Sequence, residues 1–485
     1  MKDIIIVGAG VTGAALARVL SRYEASVLVL EAGPDLASGA SKANSGIVHA
    51  GYDAVPGTWK ARMNVEGARM YPALCEELGV PYRKNGALVV AFSEEDRRTL
   101  EELLEQGVRN GVEHLEIVES EELHRMEPQL SEKAVCALSV PDSGITSPYE
   151  MTFALADHAA VNGVEFRFIC RVQDVRREDG VWHVQTVKGE ECARILINCA
   201  GSGSGRLHEQ ICGRDDVRIV NRRGQYYLLD HPEVLPFDHT MFQCPTAMGK
   251  GVLVAPTVHG NVLLGPTAED IPDAEDTDTT REGLDAVLKA CSLTWPGYSV
   301  RTAITNFAGV RAHEVKGDFI IGRIDGAEQA YEAAGMESPG LSAAPAVGVY
   351  LGELIAREEG LKEKKEWKKP LKREKPFNEM TLEEREEAVH RDPLNGTLIC
   401  RCEVVTEAEI RAAIRRPVGA TTLDGVKRRT RAGMGRCQGG FCSPRVTEIL
   451  AEELGIAMED VRKDGPGSWL LCGDIQSAMR GEADA

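Results

Sequence analysis

Four cysteines in two close pairs are the residues whose spacing says most about chemistry. Cys400 and Cys402 are separated by one residue, and Cys437 and Cys442 follow in a glycine-rich stretch. Close thiolate pairs bind soft or iron-containing centres, and nearby glycines leave backbone amides free to bond cluster sulfides. Structural zinc and unligated thiols are the alternatives, but zinc sites usually use C-x2-C pairs. The spacing therefore favours a [2Fe–2S] cluster held by these four residues.

A glycine-rich turn near the N-terminus is the second chemical signature. Gly8, Gly10 and Gly13 lie between an apolar run and a helix-forming stretch, and Glu31 ends the next apolar run. In such a turn the glycines permit a tight bend, close approach of a pyrophosphate and close helix–strand packing. The helix N-terminus offers amide donors, and Glu31 can accept ribose hydroxyls. Because the signature occurs once, it favours FAD over a pair of bound nucleotides.

The elements that must position these residues follow from apolar patterning. The runs Asp3–Val7 and Ser26–Glu31 are typical of buried parallel strands, with a helix from Ala14 to Ser21 between them. Residues from about 80 to 310 alternate short strand-like and helical stretches. These patterns predict an α/β protein.

Composition excludes several classes of protein. The 485 residues are 43% hydrophobic and 27% charged, which is typical of a globular protein of two to four domains. The formal net charge of −19 argues against nucleic acid as a partner. We find no apolar run long enough to span a bilayer and no signal peptide, so we expect a cytoplasmic location.

The chain carries two resemblances, one on each side of a charged, proline-marked run that begins at Leu361. The part before it resembles the D-amino-acid-oxidase-like flavoproteins, in particular the FAD-dependent glycerol-3-phosphate dehydrogenases and L-2-hydroxyglutarate oxidases. The segments Cys400–Ile410 and Asp424–Cys442 resemble the bacterioferritin-associated-ferredoxin type of [2Fe–2S] domain. This order of parts is similar to the large subunits of anaerobic glycerol-3-phosphate dehydrogenases.

The flavoprotein resemblance implies a fold and a set of domains. The fold is a Rossmann-like FAD-binding domain interleaved with an antiparallel-sheet substrate domain, plus a small helical [2Fe–2S] domain. The expected boundaries are a FAD-binding domain over 1–80, 145–215 and 300–360, a substrate-binding domain over 81–144 and 216–299, a charged linker or surface strap over 361–393, a [2Fe–2S] domain over 394–462 and a C-terminal tail over 463–485.

The same resemblance implies further cofactor contacts. The segment Ser41–Gly51 would pass the flavin ring, Ile197–Gly201 would end a strand near the pyrophosphate, and Gly335–Ser342 would close over the flavin's pyrimidine edge. The individual residues implied as FAD contacts, besides the glycine turn and Glu31, are Ser41, Asn44, Ser45, Val172, Gly201, Gly335, Pro339, Gly340, Leu341 and Ser342.

A flavin-dependent alcohol oxidation needs a base for the hydroxyl proton, a hydride directed at flavin N5 and a cation for the anionic end of the substrate. The base we expect is His49, because the resemblance puts it beside the flavin ring and its ordinary pKa lies near working pH. His259 and His313 are the rival bases.

Arg311, in a Gly-x-Arg motif, is the expected anion clamp, because a guanidinium matches phosphate or carboxylate bidentately. Lys250 is a possible second cation, and Arg223 is a further candidate for the substrate site. The stretch Arg223–Tyr226 is more similar to the L-2-hydroxyglutarate oxidases than to the glycerol-3-phosphate dehydrogenases.

The resemblances imply oxidation of the secondary alcohol of sn-glycerol-3-phosphate to dihydroxyacetone phosphate. The alternatives are an L-2-hydroxyglutarate dehydrogenase, an amino-acid or opine dehydrogenase subunit, and a non-catalytic redox module. The expected electron route leads from FAD through the [2Fe–2S] cluster to a separate flavoprotein or iron–sulfur subunit. That partner would also provide any peripheral membrane association.

Overall fold

A computed structural model of the protein describes residues 1–245 and 251–473. Its helices are α1 Val11–Leu20, α2 Trp59–Leu78, α3 Glu94–Arg109, α4 Ser120–Met126, α5 Pro148–Val161, α6 Ser204–Cys212, α7 Arg281–Thr294, α8 Gly340–Glu358, α9 Leu382–Arg391, α10 Glu407–Ile414, α11 Leu423–Thr430 and α12 Ser443–Leu454. Its strands are β1 Lys2–Val7, β2 Val27–Leu30, β3 Ile47–Val48, β4 Tyr82–Arg83, β5 Ala87–Ala91, β6 Glu116–Glu119, β7 Cys136–Val140, β8 Gly144–Thr146, β9 Glu165–Arg167, β10 Val172–Glu178, β11 Val181–Thr186, β12 Gly189–Asn198, β13 Ile219–Leu229, β14 Thr240–Gln243, β15 Leu253–Pro256, β16 Val262–Gly265, β17 Glu269–Ile271, β18 Ala303–Glu314, β19 Ile320–Arg323, β20 Ala330–Ala334, β21 Leu398–Cys400 and β22 Val405–Thr406.

The described chain divides into two compact units. The larger comprises residues 1–31 and 36–371, and the smaller comprises residues 32–35 and those from 372 onward. No helix in the described part of the chain is long and apolar enough to cross a membrane.

The larger unit contains an eight-stranded sheet with β1 near its centre. The side chains of Ile4, Ile5 and Ile6 are fully buried, which explains the uninterrupted apolar run of this strand. β2 and β12 flank β1 in parallel, so that Val7 pairs with both Leu30 and Asn198. The carboxyl ends of these three strands therefore meet at one edge, as the predicted α/β class requires.

A second, nine-stranded sheet lies in the same unit and is mostly antiparallel. β18 pairs along the whole of β13, from Ile219 opposite Glu314 to Leu229 opposite Ala303. The boundary predicted at residue 300 therefore differs from the sheet membership, because β18 belongs to this second sheet. The first sheet resumes only with β19 and β20, which pair with each other and, through β20, with β12.

The predicted linker over 361–393 is not a single element. Its first part is a strap on the larger unit: the Trp367 indole donates to Ser21 Oγ at 3.0 Å, and the guanidinium groups of Arg18 and Arg22 lie over the Trp367 ring. Its second part contributes α9 to the smaller unit. Of the two expectations for this segment, linker or surface strap, its beginning therefore has the contacts of a strap, and a helix forms near its end.

The smaller unit is built from a short β21–β22 hairpin and the helices α9 to α12. Its core contains Ile410, Val426, Ile449 and Leu450, all fully buried. α10 begins at a capping box in which Thr406 and Glu409 bond each other's backbone amides. This core supports the cysteine-bearing loops, and it agrees with the prediction of a small helical C-terminal domain.

Candidate functional site

The turn after β1 has the shape that a bound pyrophosphate needs. A Cβ built at Gly8 would overlap the Cys199 carbonyl oxygen, and one built at Gly13 would overlap the Gly8 carbonyl oxygen. A Cβ at Gly10 meets only one atom within 4 Å, Ser41 Oγ at 3.1 Å. The turn is therefore closed by backbone at its two ends and open at Gly10, so that a phosphate can approach the chain there.

Several residues predicted as FAD contacts gather at this edge of the sheet. Ser41 Oγ accepts from the Val11 amide at 2.9 Å, in the first turn of α1. A Glu31 carboxylate oxygen accepts from the Ala9 amide at 2.8 Å, and the Cys170 amide donates to the Glu31 carbonyl at 2.8 Å. Val172 begins β10 two residues later, and Gly201 follows β12 after Cys199. The arrangement fits a dinucleotide with its pyrophosphate over Gly10 and its ribose near Glu31.

The predicted flavin segments also come together. His49, which is 6% exposed, donates its backbone amide to Ser342 Oγ at 2.8 Å. Ser342 lies in the first turn of α8, which begins at Gly340 after Pro339 and has no side-chain cap. The uncapped amide end of α8, which includes Leu341, is therefore next to the His49 segment.

The other predicted residues of these segments shape their loops. The Asn44 side chain bonds the Ser41 carbonyl at 3.0 Å and the Gly46 amide at 2.8 Å, so it holds the bend around Ser45. Gly335 has a φ of +67°, and a Cβ there would lie 2.8 Å from Glu314 Cβ. Asn44 and Gly335 thus fix the backbone on which the neighbouring contacts depend.

Arg311 and His313 lie on the face of β18 that is turned toward the His49 segment. A Cβ built at Gly309, two residues before Arg311, would overlap the Ala43 carbonyl oxygen. Residues two apart on a strand share a face, so Gly309, Arg311 and His313 all look toward that segment. Arg311 Nη2 donates to the Thr267 carbonyl at 2.9 Å. Within residues 1–245 and 251–473 no carboxylate forms an ion pair with Arg311, so its charge is available to an anion.

Arg223 does not join this group. It is the register partner of Val310, so it lies on the opposite face of the β13–β18 pair from Arg311. Its guanidinium, 5% exposed, pairs with Glu269 at 2.9 Å and with Asp276 at 2.7 Å. The hydrogen bond that Arg223 donates to the Glu269 carboxylate raises the pKa of the guanidinium further. This geometry corrects the assignment of Arg223 to the substrate site: two carboxylates already satisfy its charge.

The rival histidines each have a carboxylate partner. His313 Nδ1 lies 2.8 Å from Glu337 Oε1, and Lys60 Nζ lies 2.5 Å from the same oxygen. His259 Nε2 lies 2.8 Å from Glu150 Oε1. Lys60 and Glu337 could not be identified from the sequence, since nothing in residue types links positions so far apart in the chain. Lys250 lies outside the described residues.

Aromatic side chains line the same region and were also missed. The His49 ring lies 5.6 Å from that of Phe242 between centroids, and Tyr226 stacks on Phe307 at 4.9 Å. Phe307 and Tyr226 lie on the Arg311 face of β18 and β13. Burial raises the pKa of Tyr226, which keeps its hydroxyl protonated. An apolar, water-poor wall therefore stands beside the histidine and the arginine.

The four cysteines predicted as iron ligands are brought together in the smaller unit. Cys400 ends β21, Cys442 caps the N-terminus of α12, and Cys402 Sγ lies 3.6 Å from Cys437 Sγ. A Cβ built at Gly435 would overlap Cys402 Cβ, so the loop must approach this cysteine closely. Cys400 and Cys442 are buried, whereas Cys402 and Cys437 are exposed.

Hydrogen bonds around two of these thiols, Cys400 and Cys437, favour the thiolate form. A bond from the Cys442 thiol, helped by the Gly433 amide, lowers the pKa of Cys400 to about 6. Amide bonds from Phe441 lower the pKa of Cys437. Thiolates surrounded by amide donors are the donor set that an iron–sulfur cluster needs, and the residues present fit it.

Comparison with known proteins identifies both parts of the chain. The family model described as FAD dependent oxidoreductase matches residues 3–354. The chain belongs to that family. A second model, the BFD-like [2Fe-2S] binding domain, matches residues 398–452, which contain all four cysteines. The resemblances seen in the sequence are thus confirmed, and this FAD-dependent oxidoreductase carries FAD and a [2Fe–2S] cluster.

Individual relatives narrow the comparison. A protein of Caloramator mitchellensis named glycerol 3-phosphate dehydrogenase is 44% identical and covers 99% of this chain and 100% of its own. Human mitochondrial L-2-hydroxyglutarate dehydrogenase is 30% identical over 55% of this chain and 60% of its own. The solved L-alpha-glycerophosphate oxidase of Mycoplasma pneumoniae, with FAD bound, has a TM-score of 0.73 at 31% identity and covers 77% of this chain and 99% of its own.

Proposed function

We propose that this oxidoreductase converts sn-glycerol-3-phosphate to dihydroxyacetone phosphate and delivers the electrons, by way of its [2Fe–2S] domain, to a separate protein. The observation that carries the proposal is the full-length likeness to the Caloramator glycerol 3-phosphate dehydrogenase, which spans both the flavoprotein part and the cysteine domain. The solved glycerophosphate oxidase covers only the flavoprotein part. The added cysteine domain is what favours a dehydrogenase that passes electrons on.

In this proposal Arg311 binds the phosphate of the substrate. Its Nη2 bond to the Thr267 carbonyl orients the guanidinium, and among the described residues no carboxylate forms an ion pair with it. A guanidinium held in this way matches two phosphate oxygens at once. Lys250, which lies outside the described residues, stays a candidate for a second cation.

His49 takes the hydroxyl proton of the substrate. The bond from its backbone amide to Ser342 Oγ fixes the segment, and Phe242 packs against the ring. A base held in an apolar, water-poor setting exchanges a proton only with the substrate group placed beside it. When bound, FAD supplies the acceptor for the carbinol hydride, and the [2Fe–2S] cluster supplies a one-electron outlet.

The electron-accepting protein would approach the exposed side of the cysteine set. Cys402 and Cys437 are exposed there, while Cys400 and Cys442 are buried. Phe441, 58% exposed, lies beside them with the Arg401 guanidinium 4.6 Å from its ring centroid. An exposed aromatic residue with an arginine over it is typical of a protein contact.

L-2-hydroxyglutarate is the second candidate substrate. The likeness to human L-2-hydroxyglutarate dehydrogenase favours it, and a carboxylate fits the Arg311 guanidinium as well as a phosphate does. The two candidates differ in the anion that Arg311 would bind, so the rate of flavin reduction by each compound separates them.

The test is anaerobic mixing of the FAD- and cluster-loaded protein with each compound, while flavin absorbance near ~450 nm is followed. We expect rapid bleaching by sn-glycerol-3-phosphate and little by L-2-hydroxyglutarate. The matched variant Cys437→Ser should still bleach but should lose turnover with a one-electron acceptor. Absence of bleaching by sn-glycerol-3-phosphate would refute the substrate, and full turnover in Cys437→Ser would refute the electron route.

A further inference from the structure

The C-terminal end of α6 carries a cluster of metal-ligating side chains that the reaction does not use. His208 and Cys212 are four residues apart, so they share one face of this helix. The chain then turns at Gly213, whose φ is +72°, and brings Asp216 back to the same place. Cys212 Sγ lies 3.2 Å from His208 Nε2, and Asp216 Oδ1 lies 3.0 Å from the same nitrogen.

A buried carboxylate stands behind the histidine. Both carboxylate oxygens of Glu332 lie 3.0 Å from His208 Nδ1, and Glu332 is only 2% exposed. Asn198 Nδ2 donates to Glu332 Oε2 at 3.4 Å and helps to hold it. Metal-binding histidines usually donate one ring nitrogen to such a carboxylate, which fixes the tautomer and directs the other nitrogen at the metal.

We propose that His208, Cys212 and Asp216 form a binding site for Zn²⁺, with Glu332 as the carboxylate that orients the histidine and water as the fourth ligand. One nitrogen, one thiolate and one carboxylate are ligands that zinc accepts. The 54% exposure of the Asp216 side chain leaves a path from solvent to the ion.

The distances allow an ion with a small adjustment. In a tetrahedral zinc site the nitrogen and sulfur lie about 3.6 Å apart and the nitrogen and oxygen about 3.4 Å apart. The observed separations of 3.2 and 3.0 Å are therefore shorter by roughly 0.4 Å. Asp216 lies on a loop and Cys212 at a helix end, so both can move outward by this amount. Arg214 Nε, 3.5 Å from Asp216 Oδ1, is the competing charge that the ion must outweigh.

A similar-looking triad on the β11–β12 hairpin provides an internal control. His183 Nδ1 lies 3.0 Å from Glu190 Oε1 and 3.5 Å from Cys192 Sγ. Arg176 already holds Glu190 at 2.7 Å. In the described part of the chain, no carboxylate bonds the other ring nitrogen of His183. This hairpin triad has the residue types of the α6 site without its orienting carboxylate, so we expect it to bind zinc much more weakly.

The experiment uses the FAD- and cluster-loaded protein, equilibrated with buffered Zn²⁺ and then desalted, with zinc and iron counted by mass spectrometry. We expect one zinc per chain in the wild type and in the control Cys192→Ser. The affinity should fall at least tenfold in Cys212→Ser and in Asp216→Asn, and by about 10- to 100-fold in Glu332→Gln. Asp216→Asn changes an exposed side chain, so it tests the site without loss of the fold.

X-ray absorption at the zinc edge identifies the ligands. One sulfur with nitrogen and oxygen neighbours, and unchanged iron content, would support the α6 site. Four sulfur neighbours would place the zinc at the iron–sulfur cysteines and overturn the proposal. Wild-type-like zinc retention in both Cys212→Ser and Asp216→Asn, or no retained zinc in the wild type, would overturn it equally.

Discussion

Arg311 and Arg223 offer a matched test of the substrate site, because they lie on neighbouring strands but on opposite faces of the same sheet. We would replace each in turn by Gln, which keeps a polar side chain and removes the charge. If Arg311 binds the substrate anion, only its replacement should impair the reaction with sn-glycerol-3-phosphate.

The size of the effect follows from the contacts. A bidentate guanidinium–phosphate pair comprises two charge-assisted hydrogen bonds, each contributing ~1.5–3 kcal/mol. Losing both, ~3–6 kcal/mol in total, lowers kcat/KM by roughly 10²- to 10⁴-fold. Arg223→Gln instead leaves Glu269 and Asp276 unpaired, but their side chains are 51% and 37% exposed and water can solvate them. We therefore expect about 1–2 kcal/mol of lost folding stability and little change in kcat/KM.

The assay measures the second-order rate constant of anaerobic flavin bleaching, together with urea unfolding and the FAD content of each variant. The proposed role of Arg311 would be refuted if Arg223→Gln, with full FAD content, lost as much kcat/KM as Arg311→Gln. It would also be refuted if Arg311→Gln kept the wild-type rate constant.

The remaining predictions concern the close backbone contact at Gly309, the ion pairs of Glu337 and the ligands of the iron–sulfur cluster. Gly309→Val should weaken flavin bleaching more than Gly465→Val, because a side chain at 309 meets the Ala43 carbonyl whereas one at 465 meets no atom within 4 Å; bleaching rates at equal FAD content decide this. Burial tends to raise the pKa of Glu337, but Lys60 and His313 outweigh it and hold that pKa below its ordinary value of 4.5. The contacts of Glu337 with Lys60 and His313 therefore stabilise the fold above pH 4.5, and this stabilisation is lost as the pH falls through the lowered pKa. Glu337→Gln should therefore show a smaller difference in unfolding free energy between pH 7 and acid than the wild type. An unchanged difference would contradict this. Cys400→Ser should lose the cluster iron while Cys472→Ser keeps it, as measured by iron content, and equal iron in both would argue against the ligand set.

Local signals in the sequence predicted the elements that depend on local physics. One of the helical stretches expected between residues 80 and 310 is observed as α3, Glu94–Arg109, because Ser93 caps its first turn and its apolar residues recur at helical spacing. The turn at Gly8 is where the glycine pattern placed it, since the Cys199 carbonyl leaves no room for a side chain. α9 also has a start signal in the sequence, the capping-box residues Thr381 and Glu384, although these lie inside the charged run.

Long-range partners could not be predicted in this way. His49 and Ser342 are 293 positions apart, and Lys60 and Glu337 are 277 apart, yet both pairs are in hydrogen-bond contact. Which strands pair is decided by the packing of whole sheets, and so the division at residue 300 separated β18 from β13. The predicted site residues that the structure brings together across long sequence distances are those for which a family resemblance supplied this long-range information.

Arg223 shows what such a resemblance leaves out. A motif gives residue types along one strand, whereas a substrate meets only the side chains on one face. Alternation puts Arg222 and Gly224 on the face of Arg311 and puts Arg223 on the other. Gly309 shows which segment the Arg311 face of β18 meets, because Gly309 can lie against Ala43 only in the absence of a side chain. The absence of a side chain at Gly309 therefore decides which arginine faces the Ala43 segment, where we propose that the substrate anion binds.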